Sequence, residues 1–308
     1  MLNITFLRKT LSRPRDFTAT HGITSDKRDY LSITKNQGTE GLCWAYALTS
    51  TFEMSYALKS GNRLMLNPNF TYEHAVPWWK EQKKSMRKQY EPCLSYGEDK
   101  GYLPFCATMY LIGSGDSITQ MDGDDSFLTI TYAETLKINS LPDLNNALDT
   151  YGVLYVALDA DPLQSNTIIS KYIPSETSNH AVVMTAIGEI KGYDGVYVEI
   201  LNSWGYNHGY DGLQYIKIAD SNVSCVVNNM NILSDIIGIQ VERNPFKQYA
   251  DLFWALGLGI TLIITLIVLT VISILYYRLK KTIAPSTMVA DQSDNLQNLD
   301  GTASYSSI

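Results

Sequence analysis

The stretch NQGTEGLCWAYALTS, residues 36–50, decides how this chain is read. Cys43 follows a Gly-Leu pair and opens a run in which Trp44, Ala47, Leu48, Phe52 and Leu58 recur at helical spacing. Gly61 and Asn62 end that run as a helix C-cap does. A cysteine attacks as its thiolate, and a free thiol with a pKa near ~8.5 is mostly protonated at neutral pH. A helix N-terminus favours the anion, and so does a nearby imidazolium. The spacing supplies Cys43 with the first device, so a lowered thiol pKa is expected. The second requires a histidine from elsewhere in the chain.

The chain has four histidines: His21, His74, His180 and His208. His180 opens the apolar strand pattern HAVVMTAIGEI (180–190), and Asn202 ends the next one, GVYVEILNSW (195–204). A hairpin between these strands brings Asn202 beside His180. A neutral amide there orients the ring and fixes its tautomer without quenching a positive charge. Trp204 is placed to shield that contact from water.

Helical patterns cover 44–60, roughly 70–90, 104–112 and 140–152, the last entered through Pro142. Strand patterns follow at 152–160, 180–190, 195–204 and 212–218, with turn residues such as KGYDG between them. A helical half thus precedes a strand-rich half, which is an α+β organisation of two lobes. Residues 1–35 read as an irregular N-terminal segment and 36–245 as the folded domain.

Three motifs in this order, Gln37-Gly38-x4-Cys43-Trp44-Ala45, Asn179-His180-Ala181-Val182 and Asn202-Ser203-Trp204-Gly205, resemble the papain-like cysteine peptidases, the cathepsins among them. The resemblance covers roughly residues 11–220. It implies a two-lobed fold, a helical lobe plus a β-barrel-like lobe, with a peptide substrate lying across the cleft. It implies Cys43 as nucleophile, His180 as base and later acid, and Asn202 as the residue that orients His180. It implies Gln37, together with the Cys43 backbone N–H, as the oxyanion hole. Gly101 and Tyr102, in Lys100-Gly101-Tyr102-Leu103-Pro104, resemble the family's substrate-pairing Gly-Gly-Tyr loop with Lys100 in place of the first Gly. Trp204 belongs to the same substrate-facing group.

The chain also departs from the family. Glu40 stands where the family has a cysteine, three residues before the nucleophile, so that bridge is absent. Of the other cysteines, Cys93 and Cys106 either close a loop or stay free together with Cys225. His208 stands where the family has a second tryptophan. These departures motivate the alternative of an inactive domain kept as a membrane receptor or binding module.

Composition adds bounds. The 308 residues carry a formal net charge of −7, which argues against nucleic acid as a partner. The local basic run KEQKKSMRKQ, 80–89, reads as a solvated helix face. No metal site is expected, because Cys93 and Cys106 lack the short spacing of zinc ligands, and no cofactor is called for.

Residues 252–277 hold no charged residue and carry aromatics at both ends, as a transmembrane helix does. Arg278, Lys280 and Lys281 follow at once, which places a disordered tail, 278–308, in the cytosol and the large domain in a lumenal or extracellular space, endolysosomal or cell-surface. The tail ends Tyr305-Ser306-Ser307-Ile308, similar to a Tyr-x-x-apolar signal read by sorting adaptors. The sequons at Asn3, Asn69 and Asn222 agree with that topology. The first residues lack the apolar core of a secretory leader, which fits either a start further upstream or a cytosol-facing, tail-anchored protein.

Overall fold

A computed structural model describes residues 16–82, 93, 104–164, 167–171, 178–219 and 234–283. Expectations for Asn3, Lys83 to Lys88, Gly101, Tyr102, Asn222, Cys225 and Tyr305–Ile308 fall outside those residues. Contacts divide the chain into Met1–Gln248 and Tyr249–Ile308.

The first unit is built on one eight-stranded sheet. Its strands are β1 (Phe17–Gly22), β2 (Leu128–Thr135), β3 (Leu154–Leu158), β4 (Ile168–Ile169), β5 (His180–Ile190), β6 (Val196–Leu201), β7 (Leu213–Ala219) and β8 (Ser234–Arg243). The order is β2-β8-β3-β5-β6-β7-β4, with β1 also paired to β5. The pairs are antiparallel except β4 with β7. Five helices are described: α1 (Cys43–Ser60), α2 (Pro68–Glu81), α3 (Pro104–Ser114), α4 (Leu141–Tyr151) and α5 (Pro245–Ile283).

Two hydrophobic cores lie on opposite faces of the sheet, and the period-2 geometry of strands sorts residues between them. In β5, Ala181 and Val183 join Trp44, Leu48 and Phe52 of α1. Val182 and Met184 join Leu144 and Leu148 of α4. Tyr155 of β3 faces the first core, and Leu154, Val156 and Leu158 face the second. Central strands covered on both faces read as continuous apolar runs, as these do.

α1 starts at Cys43, ends at Ser60 and is capped by Gly61, whose φ of 72° is left-handed. It is buried on nearly every side, which its polar threonines tolerate because each returns its hydroxyl to the preceding turn. Thr49 Oγ1 donates to Ala45 O at 2.6 Å and Thr51 Oγ1 to Ala47 O at 2.9 Å. α2 and α4 begin with side-chain caps: Asn67 accepts from Asn69 N and Ser140 from Asp143 N. Cys93 and Cys106 are joined by a disulfide that anchors α3.

The structure differs from the expected irregular segment over 1–35. Phe17–Gly22 is a strand and Ser25–Tyr30 a 3-10 turn. In β1 only Phe17 is buried, so the segment shows no alternating pattern. It is held by its pairing to β5, where Thr18 lies opposite Glu189 and Ala19 opposite Gly188. A side chain at 188 would collide with this pairing, since a Cβ there meets Thr18 O at 2.0 Å. β2 and β8 were likewise not foreseen, and they pair with each other over their length.

Candidate active site

Cys43 is the first residue of α1, and Leu42, its N-cap, supplies no side-chain acceptor. The first amides of the helix are therefore not taken up by a capping side chain. The N–H groups of Cys43 and Trp44, and that of Ala181 on β5, are directed at the Cys43 sulfur. Cys43 is partly exposed and is the free cysteine among the described residues.

The expected lowering of the thiol pKa is not what the structure shows. Burial pushes the Cys43 thiol up, and it outweighs the three backbone N–H groups that pull it down. Protein packs closely round the sulfur even though part of the residue reaches solvent.

His180 is the first residue of β5 and is buried. Its Nε2 lies 2.8 Å from Asn202 Oδ1. β5 and β6 pair as an antiparallel hairpin, with Val183 opposite Leu201, which sets Asn202 beside the ring as expected. Ser203 N donates to the same Oδ1 at 2.8 Å, so that atom is the amide's oxygen and Nε2 carries the hydrogen. Nδ1 is then the basic nitrogen. Burial drives the His180 pKa down from 6.5 to about 4; the bond to Asn202 opposes this, and the charge of His208 adds to it. Trp204 stacks on the His180 ring with centroids 4.7 Å apart, the shielding position the sequence suggested.

Gln37 reaches the site through a separate seam. Its backbone N–H donates to Ser203 O at 2.9 Å, Asn36 bridges Trp204, and Gly205 N donates to Lys35 O at 3.0 Å. Its side-chain oxygen accepts from Ser203 Oγ, and its Nε2 donates one hydrogen to Glu40 O at 2.8 Å. Gly212 closes the same seam. Its φ is 93°, and a Cβ there would meet Thr34 Cγ2 at 2.2 Å, so only glycine fits. Its carbonyl accepts from Asn202 N at 2.9 Å.

Three supporting residues were not singled out in the sequence. Gln214 on β7 is fully buried and accepts from Asn202 Nδ2 at 2.9 Å. A glutamine inside the apolar run GLQYIKI was the available signal. Lys35 and Glu53 form a buried ion pair at 2.7 Å beneath the Gln37 segment. Glu53, the one acid in α1, was legible as an oddity in a buried helix. His208, which stands where the family has a second tryptophan, packs edge-on against Trp204 with centroids 4.7 Å apart.

Among the described residues no cluster of His, Cys, Asp or Glu suits a metal ion.

Comparison with known proteins places this geometry. The model of the papain family of cysteine proteases matches residues 71–234, just over half the chain, a span that contains His180 and Asn202 but begins after Cys43. The viral cathepsin of Adoxophyes honmai nucleopolyhedrovirus is 24% identical over 203 residues, covering 65% of this chain and 57% of the relative. Mouse cathepsin K is 27% identical over 224 residues, 66% and 61% respectively. Human cathepsin O is 27% identical over 226 residues, 67% and 64%. The chain thus spans roughly three-fifths of these relatives' length. Digestive procathepsin L 3 of Tenebrio molitor larval midgut superposes with a TM-score of 0.54 at 20% identity, covering 75% of this chain and 74% of that one. The bromelain protease of Ananas comosus, solved with the E64 inhibitor, gives 0.52 at 22%, covering 70% and 97%. The fold is papain-like α+β.

Proposed function

This chain belongs to the papain family of cysteine proteases, and we propose that it hydrolyses peptide bonds with Cys43 as nucleophile, His180 as acid and base, and Asn202 as the residue that orients His180. The observation that carries the proposal is the His180 Nε2–Asn202 Oδ1 bond, with Ala181, the next residue, directing its N–H at the Cys43 sulfur. One hydrogen bond fixes the tautomer, and the N–H of the residue that follows His180 on β5 meets the thiol, which supports reading the two side chains as a pair.

The reaction follows from those roles. His180 Nδ1 takes the Cys43 proton as the sulfur attacks the carbonyl carbon, and the carbonyl π pair moves to oxygen. The oxyanion accepts from the Cys43 backbone N–H and from the second hydrogen on Gln37 Nε2, Glu40 having taken the first. The C–N bond breaks, His180 returns its proton to the leaving amine, and a thioester remains. Water then attacks the thioester with His180 again as base, releasing the acid and the thiol. The burial that raises the thiol and lowers the imidazolium opposes each charge alone. Their mutual attraction, once the proton has moved, offsets part of that cost.

α5 is the proposed membrane anchor. Gly257–Leu279 has a mean hydropathy of 2.8 and is exposed throughout. The cationic residues after it argue for a cytosolic tail, with the peptidase unit on the lumenal or extracellular side.

The test is covalent capture. The full chain in detergent is treated with an epoxysuccinyl thiol inhibitor and weighed, beside Cys43→Ala and His180→Ala. One adduct on the unmodified protein, absent from Cys43→Ala and much slower on His180→Ala, supports the proposal. Undiminished peptide hydrolysis by Cys43→Ala refutes it.

A further inference from the structure

Behind Asn202 a line of hydrogen bonds runs into the protein. Asn202 Nδ2 donates to Gln214 Oε1 at 2.9 Å, and Gln214 Nε2 donates to Leu163 O at 2.7 Å. The direction of this line is forced. A peptide carbonyl can only accept, so Gln214 turns its nitrogen to Leu163 and its oxygen to Asn202. Asn202 then turns its oxygen to His180.

Leu163 ends a 3-10 turn, Asp161–Leu163, where carbonyls lack an intrahelical partner. His208 Nε2 lies 2.9 Å from the same oxygen, so both of its lone pairs are used. Gln214 has no exposed surface and sits on β7 opposite Ile200. An amide at such a strand position costs free energy unless its hydrogen bonds are made. Packing alone gives no reason for one there.

We propose that Gln214 is a positioning residue for the reaction: it ties Asn202 to the Leu163 carbonyl, holds the amide aimed at His180, and polarises Asn202 Oδ1 toward the charged imidazole. This rests on the reading of Cys43, His180 and Asn202 given above. The polarisation follows from cooperativity, because an amide whose N–H groups are bonded is a better acceptor at its oxygen. Gln214 touches neither substrate nor sulfur and acts through Asn202.

The test uses the full chain in detergent micelles with 15N-labelled histidine, whose four imidazoles are assigned by substitution. His180 is titrated in a Cys43→Ala background, where no thiolate contributes. Gln214→Met keeps the volume and removes both bonds. It is expected to lower the His180 midpoint by about half a pH unit. Gln214→Glu keeps an acceptor facing Asn202 and is expected to titrate at or above the unsubstituted value. With Cys43 intact, Gln214→Met is expected to reduce kcat about 10-fold at an unchanged KM, the scale of one net hydrogen bond lost from the transition state. A Gln214→Met midpoint that does not fall, or a Gln214→Glu midpoint that falls with it, overturns the proposal. Thermal melts accompany each variant; if Gln214→Met does not fold, a fall in the Gln214→Glu midpoint alone is decisive against it and its absence supports it. Failure of the underlying reading looks different. The unsubstituted protein then takes no inhibitor at Cys43, while the titrations still judge the bond line.

Discussion

His180 is held under opposed pulls, and their balance sets a measurable pH dependence. Burial is the larger pull and brings its pKa from 6.5 to about 4. The unfolded chain therefore binds a proton at a higher pH than the folded one. Stability from this group is intact above 6.5 and is lost as pH falls toward 4, by up to about 3 kcal/mol at ~1.4 kcal/mol per unit. In a Cys43→Ala background the unfolding free energy is expected to drop over that window, and His180→Gln in the same background is expected to remove that part of the drop. Denaturant titrations at several pH values measure the difference between the two. With Cys43 present, the folded pair holds one proton whether neutral or ionised and the unfolded chain holds two below 6.5, so the slope is expected to be the same and, where the ion pair forms, the loss to continue to lower pH. A loss that levels off at higher pH with Cys43 present than in Cys43→Ala would contradict the pairing of these two groups. The contact of His180 with Asn202 was legible, because the two strand patterns that carry these residues pair as a hairpin. The direction of the thiol shift was not, because the helix N-terminus can be read from sequence and the closeness of packing round the sulfur cannot.

At the scale of elements, the site depends on how segment 31–37 is fastened to α1 and to the 203–212 loop. Glu53, buried on α1, accepts from Lys35 Nζ at 2.7 Å, from Leu66 N at 2.7 Å and from Ser32 Oγ. This network holds the backbone two residues before Gln37, while Ser203 and Gly205 hold the segment from the other side. Removing one partner leaves a buried charge alone. Glu53→Ala is expected to cost about 3–5 kcal/mol in urea unfolding, and Lys35→Met combined with Glu53→Met much less than Glu53→Ala does. A double variant as unstable as the single would show that the ion pair is not the reason for the cost. None of this network was read from the sequence, since Lys35 and Glu53 lie 18 positions apart and bury only when the chain folds back. The central strands were read easily, because β5 and β6 are apolar on both faces and bounded by turn residues. β1 was missed for the opposite reason: most of its side chains reach solvent, and only backbone pairing to β5 makes it a strand.

At the scale of the whole molecule, the question is what an exposed apolar helix does in a chain that carries a papain-family domain. Gly257–Leu279 holds 23 residues, about 35 Å at ~1.5 Å each, against a hydrocarbon core of ~30 Å. Leu262, Ile263, Leu266, Ile267 and Ile274 are all more than half exposed, far more apolar surface than a soluble protein presents to water. The segment's threonines are already adapted to an apolar solvent. Thr261 donates to Gly257 O at 2.8 Å, Thr265 to Thr261 O at 2.9 Å and Thr270 to Leu266 O at 2.7 Å, so each of these three hydroxyls has an acceptor in lipid. An arginine at the centre of a spanning helix costs about 2.5–3.5 kcal/mol of insertion. The full chain expressed in cells is therefore expected to stay with membranes through alkaline carbonate extraction, and Leu266→Arg with Leu269→Arg is expected to release it. Extraction of the unsubstituted chain would remove α5 as an anchor. Topology is decided in the same cells by Asn69, exposed in the first turn of α2. A mass shift removed by glycosidase and by Asn69→Gln places the unit Met1–Gln248 on the lumenal side. Chemical labelling of the domain from the cytosol in intact-membrane preparations would instead reverse the orientation that Arg278 and its cationic neighbours imply.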